Sequence, residues 1–295
     1  MRIRHTLVLA ALGALPLAHA HEPQPTTPAT AQANRAVAAA YDLAQPQDLE
    51  DASRGLVATL PGGVIRDAQG NIAWDGGQFA FIRGAAPDSV NPSLWRQEQL
   101  NNQAGLFKVT DGIWQIRGYD LANMTLVQGK TGWIVIDPLL TAETAKATLA
   151  FAMQQLGHKP VVAVIYTHSH VDHFGGVRGV VDEADVRAGK VSIIAPEGFM
   201  EHAVAENVLA GNAMTRRAQY QFGTPLAFGE RGAVGFVLEV ERLEDRNAEL
   251  LRQHLDGGRL EFVPAPGGAV GLAIGGDDLA AGPCRHMSEH RGGEI

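Results

Sequence analysis

The sequence predicts an α/β protein in which short strands and helices alternate around one sheet. Two observations carry this prediction. A helix candidate over residues 141–156 is followed closely by residues 161–166, a continuous apolar run rich in β-branched side chains. Upstream, residues 105–136 contain four short apolar or alternating runs separated by glycine-containing turns, a pattern typical of β-hairpins.

The composition agrees with a folded globular chain and excludes several other classes. Of the 295 residues, 45% are hydrophobic and 19% are charged, which is enough apolar material for a sizeable core. The formal net charge is −8 and no run of basic residues is present, so we expect no nucleic-acid partner. The lone cysteine, Cys284, excludes an internal disulfide and a Cys-x-x-Cys zinc site.

The first twenty residues have the three-part pattern of a signal peptide. Arg2 and Arg4 precede an apolar stretch over residues 7–17, and the small residues Ala18 and Ala20 precede a predicted cleavage site before His21. The apolar stretch is shorter than the roughly 20 residues that span a bilayer. We therefore expect a periplasmic or secreted protein with no integral membrane segment in the mature chain. An uncleaved amphipathic N-terminus is the alternative.

Residues 21–104 are predicted to form a linker and an N-terminal segment. A Pro-, Thr- and Ala-rich linker over residues 22–31 precedes a predicted helix over residues 33–44. The segment is rich in aromatic residues, namely Trp74, Phe79, Phe81 and Trp95. These side chains either dock the segment onto another part of the chain or, in the interpretation that we favour, are ordinary core residues.

Residues 105–235 are predicted to contain the sheet and its helices. The first four strands are expected at residues 106–109, 113–117, 124–128 and 133–136, with hairpin turns at Asp111-Gly112 and at residues 129–132. Thr141 is the predicted N-cap of the helix that follows. The apolar run over residues 161–166 is predicted to be a strand buried on both faces.

The residues that carry chemistry follow this last strand directly, as Thr167-His168-Ser169-His170-Val171-Asp172-His173. His168 and His170 are two apart, so in an extended segment their rings point to the same side. Imidazole and carboxylate groups together suit zinc or a similar metal ion. Gly175 and Gly176 are expected to let the backbone turn tightly beside the site.

Four potential ligands within six residues are more than one tetrahedral ion accepts while keeping a position open, so two metal ions are expected. The alternative is a surface loop that happens to be rich in histidine. The position directly after a buried strand, where α/β proteins build their sites, favours the metal site.

This pattern, His-x-His-x-Asp-His, resembles the signature of the metallo-β-lactamase superfamily. The resemblance implies an αββα sandwich in which His168 and His170 hold one Zn²⁺ while Asp172 and His173 hold a second, with Asp172 as the catalytic carboxylate. It also implies that Asp137 supports the site from outside the ligand set. A plain turn aspartate before Pro138 is the alternative for that residue.

The flanking segments, residues 118–125 and 205–217, resemble bacterial alkylsulfatases of the linear primary, dodecyl sulfate-degrading type. The resemblance implies zinc-dependent hydrolysis of linear alkyl sulfate esters to alcohol and sulfate, in a family whose members are homodimeric. It makes Asn212, Arg216 and Arg217 candidates for binding the sulfate group. An exposed helix with an arginine pair is the alternative for these three residues.

The resemblance ends near residue 235. Alkylsulfatases are about twice as long, and their next region supplies two further carboxylates and a histidine as zinc ligands. Residues 236–295 instead read as an unrelated tail, frameshifted or disordered, and residues 233–295 contain eleven of the 34 glycines. We expect only the N-terminal half of the sandwich, in a chain ended early by a frameshift or a shifted gene model. The remaining hypotheses are another hydrolase of the superfamily (a lactonase or β-lactamase) and a non-catalytic truncated product.

Overall fold

A computed structural model describes residues 25–222, residue 229, and the backbone of residues 260–264 and 270–274. The predicted signal peptide over residues 1–20, the start of the predicted linker and most of the predicted tail over residues 236–295 lie outside the described residues. Among the helices that are described, none combines the length and the apolar character needed to cross a membrane.

Helices and strands alternate along the described chain. The helices are α1 Pro28–Ala40, α2 Gln47–Ser53, α3 Pro92–Asn101, α4 Ala142–Leu156, α5 Val177–Val180, α6 Glu183–Arg187, α7 Phe199–Val204 and α8 Gly211–Phe222. The strands are β1 Leu56–Ala58, β2 Val64–Arg66, β3 Ile72–Asp75, β4 Gly105–Thr110, β5 Ile113–Arg117, β6 Met124–Gln128, β7 Trp133–Ile136, β8 Val161–Ile165, β9 Ser192–Ile194, β10 Leu260–Pro264 and β11 Val270–Ile274. Short 3₁₀ turns at Gly76–Phe79 and Val171–His173 and a π-helical turn at Ala205–Leu209 complete the set.

The main sheet has seven strands in the order β1-β4-β5-β6-β7-β8-β9. Its first part is antiparallel, whereas β7, β8 and β9 run parallel to one another. The carboxyl ends of these three strands therefore meet at one edge. This is the predicted α/β arrangement, and the described part contains one large sheet, as expected for one half of a sandwich. Two further antiparallel hairpins, β2–β3 and β10–β11, form separate two-stranded sheets, and the second lies in the predicted tail.

The predicted hairpins at the start of the sheet are confirmed. Thr110 pairs with Ile113 across Asp111-Gly112, and Gly112 has a φ of 77°, which glycine adopts without a Cβ clash. The turn over residues 129–132 is closed by a hydrogen bond of 2.8 Å from the Gly129 N–H to the Gly132 carbonyl. Because the turns set the register, alternate side chains of β6 and β7 reach the core.

The core lies between the sheet and α4. Fully buried side chains from four strands (Leu106, Met124, Leu126, Val135 and Val164) are its centre. From α4, Ala145 and Ala152 pack onto it at helical spacing. The helix starts as predicted, since the Thr141 hydroxyl accepts a hydrogen bond of 3.2 Å from the Thr144 N–H.

Two expectations about the flanks of the core need correction. The predicted linker is in part helical: α1 begins at Pro28 because the Thr27 hydroxyl caps it and proline suits the first helical position. It also ends earlier than predicted, at Ala40, because Tyr41 is extended. Strand β8 is less enclosed than predicted, with Val162, Ala163 and Ile165 only half-buried.

Candidate metal centre

A cluster of imidazole and carboxylate groups lies at the carboxyl edge of the parallel strands. Asp137 follows β7 directly, and Thr167 and His168 follow β8 after Tyr166. Because Ile136 of β7 pairs with Ile165 of β8 in parallel, the two strands deliver these polar residues side by side. The position is the one where α/β sheets bind ligands.

The first histidine pair lies as its spacing predicts. The Nε2 atom of His168 is 3.1 Å from the Nδ1 atom of His170, and the two ring centroids are 4.6 Å apart. The ring of His168 also approaches that of His173, with 4.0 Å between centroids. The three imidazoles therefore share one small volume.

Asp172 and His173 enter that volume through the 3₁₀ turn after His170. The Nε2 atom of His173 is 3.3 Å from Oδ2 of Asp172. Its Nδ1 atom is 2.8 Å from Oδ2 of Asp137. Each nitrogen of this ring thus faces one carboxylate, and the Asp137 contact leaves Nε2 as the nitrogen that points into the cluster.

Asp137 is buried and contacts the cluster through Thr167 and His173. Its Oδ1 accepts a hydrogen bond of 2.8 Å from the Thr167 N–H, and its Oδ2 accepts one of 2.6 Å from the Thr167 hydroxyl in addition to the His173 contact. Burial alone would raise the pKa of Asp137, but these contacts with His173 and Thr167 outweigh it and lower the pKa. A carboxylate engaged in this way orients a histidine ligand.

The charges within the cluster stabilise one another. Burial alone would lower the pKa of His173, but its hydrogen bonds with Asp137 and Asp172 raise it to about 9. Burial would likewise raise the pKa of Asp172, but the contact with His173 lowers it. For His168, burial and the neighbouring imidazoles lower the pKa, which favours the neutral ring that binds metal ions.

The residues present fit a divalent metal ion. Ligand atoms of Asp137, His168 and His173 all lie within 4.8 Å of one another. Two ligands at about 2.0–2.1 Å from a tetrahedral ion are about 3.4 Å apart. The His168–His170 separation of 3.1 Å and the Asp172–His173 separation of 3.3 Å are both close to that spacing. The donor set, imidazole with carboxylate, is the one that zinc accepts.

Gly175 and Gly176 lie in the turn that follows Val171–His173, as expected, and they also serve a close backbone contact. Neither has a positive φ, so neither is required by a left-handed turn. A Cβ on Gly176 would instead collide with the carbonyl oxygen of Pro138, and one on Gly175 with that of Leu140. The two glycines therefore let the metal-site loop pack directly onto the backbone that follows β7.

Sequence reasoning missed two residues, Glu206 and Asn207, that contact the segment between His168 and His170. Oε2 of Glu206 accepts a hydrogen bond of 3.2 Å from the Ser169 hydroxyl and lies 3.6 Å from Nε2 of His170. The Asn207 side chain donates to the Ser169 carbonyl at 3.5 Å. Both belong to the π-helical turn, a feature frequent at functional sites. Their only signal in the sequence is membership of the segment similar to alkylsulfatases.

Asp120, in the connection between β5 and β6, and Thr144, on α4, form a second polar group. The sequence analysis did not single out this pair. Both side chains are buried, and the Thr144 hydroxyl donates to Oδ2 of Asp120 at 2.5 Å. Burial raises the pKa of Asp120 to about 6, although hydrogen bonds from Thr144 and three backbone N–H groups oppose the shift. An acidic residue between apolar neighbours, Tyr119 and Leu121, was the available signal.

The three candidate sulfate-binding residues lie on α8 and make no described hydrogen bond to the histidines of the cluster. Asn212, Arg216 and Arg217 are exposed on α8. The Arg217 guanidinium contacts Met214 of its own helix at 3.4 Å. Among the described residues, none of the three is hydrogen-bonded to a histidine of the cluster. Their predicted role stays a prediction.

Comparison with protein families and curated proteins gives consistent matches. The family model described as the metallo-beta-lactamase superfamily matches residues 117–273, a range that includes β10 and all but the last residue of β11. A linear primary-alkylsulfatase from Pseudomonas sp. is 55% identical over 214 residues, which are 72% of this chain and 32% of that protein. An (R)-specific secondary-alkylsulfatase from Pseudomonas sp. is 50% identical over 232 residues, 78% of this chain and 35% of that protein.

A solved structure agrees with the sequence matches. The structure of a stereoselective inverting sec-alkylsulfatase from Pseudomonas sp. superposes with a TM-score of 0.66 and 51% identity. The superposition covers 71% of this chain and 33% of that one. The chain thus spans about a third of the length of the curated relatives it matches.

Proposed function

Because the chain belongs to the metallo-beta-lactamase superfamily, we propose that it serves the zinc-dependent hydrolysis of linear alkyl sulfate esters. One molecule of alkyl sulfate and one of water would yield the alcohol, sulfate and a proton. The observation that carries the proposal is the cluster of His168, His170, Asp172 and His173 at the carboxyl edge of the parallel strands. Identities of 50–55% to alkylsulfatases support the substrate class.

The cluster supports a site for two Zn²⁺ ions. His168 and His170 present one pair of nitrogens at ligand spacing, and Asp172 and His173 present a second pair. Such ions, when bound, lower the pKa of water to near neutrality and neutralise negative charge on the leaving sulfate. Each pair supplies two of the four ligands that a tetrahedral ion takes, so water or other protein groups would complete each coordination sphere.

The protein's own residues would position the reaction. Asp137 holds Nδ1 of His173, so that Nε2 is the atom directed into the site. Asp172, with its lowered pKa, stays ionised at neutral pH and can accept a hydrogen bond from the attacking water. His170 is half-exposed, which leaves the site open to a substrate from solvent. Asn212, Arg216 and Arg217 remain proposed contacts of the sulfate group.

Zinc content and turnover test the proposal together. We expect the purified chain to bind two zinc ions and to release alcohol from dodecyl sulfate. His168→Ala should lose zinc and turnover, whereas His158→Ala, an exposed histidine before β8, should retain both. If the chain binds zinc and hydrolyses a lactone or a β-lactam but not dodecyl sulfate, alkyl sulfate esters are refuted as its substrates and the lactone or β-lactam takes their place.

A non-catalytic product is the second candidate, and it is favoured by the ligand count, because the cluster presents only two donor atoms for each of two ions. It predicts less than one zinc ion per chain and no turnover of any ester. The same zinc measurement therefore separates the two candidates.

Export is proposed from the first twenty residues, with Arg2 and Arg4 before an apolar stretch. Expression in a bacterial host, followed by fractionation and N-terminal sequencing, tests it. The proposal expects a periplasmic or secreted chain that begins at His21; a chain in the cytoplasmic fraction that begins at Met1 would refute it.

A further inference from the structure

The backbone between β7 and α4 adopts an unfavourable conformation next to the metal centre. Asp137 has a φ of 54° and Leu139 a φ of 67°, and both are non-glycine residues. The left-handed region is sparsely populated by such residues, and for leucine it is unusual. A turn of this kind persists only where its surroundings hold it.

Hydrogen bonds from three directions hold this turn. The Asp137 N–H donates to the Ile165 carbonyl of the neighbouring strand at 3.0 Å, and the Leu139 carbonyl accepts from the Gly176 N–H at 2.9 Å. The third comes from the connection between β5 and β6, where both carboxylate oxygens of Asp120 lie 3.3 Å from the backbone nitrogen of Leu140. Of the three, only the last is made by a side chain.

Asp120 is placed to make that contact strongly. Its side chain lies in the connection between β5 and β6 and is 3% exposed. The Leu121 N–H donates to it at 2.7 Å and the Thr144 hydroxyl at 2.5 Å. A buried carboxylate is costly unless its oxygens are satisfied, and here neutral donors do so. The carboxylate thus ties the β5–β6 connection, the first turn of α4 and the left-handed turn together.

We propose that Asp120 is a positioning residue, which holds the turn so that Asp137 meets His173. The path is short: Asp120 fixes Leu140, the turn fixes Asp137, and Oδ2 of Asp137 lies 2.8 Å from Nδ1 of His173. The consequence for metal affinity rests on the proposed function. The consequence for the orientation of the His173 ring does not.

A purely structural role for Asp120 makes a different prediction. In that case its loss lowers stability but leaves the His173 ring and the metal affinity as they are. Asp120→Asn keeps the size of the side chain and removes the charge. Thr144→Val removes the hydroxyl that donates to Asp120 and also contacts Thr141, and Thr144→Ser restores it. Thr148→Val is the matched control, because Thr148 is equally buried one turn along α4 and donates only within the helix.

The first readout uses the metal-free full chain. Nitrogen-15 NMR of the His173 ring reports whether Nδ1 carries a proton that is protected from exchange by Asp137. We expect protection in the wild type, Thr144→Ser and Thr148→Val, and its loss in Asp120→Asn and Thr144→Val. An unchanged ring signal in Asp120→Asn overturns the proposal. If Asp120→Asn does not fold, the Thr144→Val and Thr144→Ser pair decides in the same way.

The second readout is the affinity for Co²⁺, measured by competition with a chelator. We expect Asp120→Asn to weaken it by about 10–100-fold, as loss of outer support does in metal sites. Thr148→Val should bind as the wild type does. Equal affinities in the two variants overturn the proposal. A wild type that binds no cobalt refutes the proposed function instead, and the ring signal still decides the role of Asp120.

Discussion

Two buried regions of the molecule are stabilised by different kinds of interaction. One is the aromatic layer, formed by Trp74, Phe79 and Trp95, and the other is the polar edge of the sheet, which contains Asp120 and Asp137. In the aromatic layer, Trp74, Phe79 and Trp95 are almost completely buried, and the rings of Trp74 and Phe79 lie 6.0 Å apart. At the polar edge, Asp120 and Asp137 are buried too, but each is held by directed hydrogen bonds from fixed donors.

Because of this difference, substitutions that lower stability and substitutions that disturb the metal centre are expected at different residues. Apolar burial is non-directional and roughly proportional to area, so the aromatic layer contributes to stability without setting the position of any reactive atom. Hydrogen bonds to a buried carboxylate contribute less net free energy but fix geometry, and they hold a turn that is unfavourable by itself. Substitutions in the two regions should therefore affect different measurements.

The largest expected loss of stability comes from the aromatic layer. Trp74→Ala should lower the free energy of unfolding by about 3–5 kcal/mol, because it removes a fully buried ring and leaves a cavity. Metal affinity of the folded fraction should stay within about twofold, because Trp74 supplies no atom to the group of possible ligands. Urea unfolding and a Co²⁺ titration measure the two quantities, with Trp74→Phe as the milder control. A large loss of affinity would mean that the two regions are coupled.

At Asp137 the expected loss is in metal affinity rather than in stability. Asp137→Asn should weaken Zn²⁺ binding by about 10–100-fold, because an amide has one oxygen and cannot accept both from the Thr167 N–H, as Oδ1 does, and from the Thr167 hydroxyl and His173, as Oδ2 does. Asp182→Asn removes the same charge from an exposed position and is the control. Chelator competition measures the affinity. Equal affinities in the two variants would show that Asp137 is only a turn residue.

The pH dependence of the metal-free protein provides a smaller, more specific test. The folded pKa of His173, about 9, lies above its ordinary value of 6.5, so folding favours the protonated ring. The resulting stabilisation is complete below about pH 6.5 and is lost as the pH rises through about 9. We expect the difference in unfolding free energy between the wild type and His173→Gln, measured in urea with EDTA, to shrink over this interval. A difference that is constant with pH would contradict the ion-pair geometry.

The smallest expected effect is at the cap of α4. Thr141→Ala removes the acceptor of the Thr144 N–H and should lower the unfolding free energy by about 1 kcal/mol. Thr141→Ser keeps the acceptor and should restore most of the loss. Urea unfolding of the two variants measures it. A loss in Thr141→Ala well above 2 kcal/mol would mean that the hydroxyl also supports the polar network through Thr144.

Several elements were predictable because their causes are local. The hairpin turn at Asp111-Gly112, the capped helix α4 and the strand β8 follow from glycine, a threonine N-cap and apolar periodicity. The His168–His170 pairing follows in the same way, because a spacing of two in extended chain places both rings on one side. The start of α1 differs from the prediction because the Pro- and Thr-rich composition of residues 22–31 favours a linker, whereas Thr27 and Pro28 together begin a helix.

The sequence by itself therefore determined the α/β class, the order of strands and helix α4, and the motif from His168 to His173, since each depends on neighbours along the chain. Only the tertiary structure decided that Asp120 reaches Leu140, twenty residues away, and that Glu206 reaches Ser169. It also decided that Gly176 is required by a close backbone contact rather than by a positive φ. These features depend on which surfaces meet when strands pair and loops pack, and no local propensity encodes such a meeting.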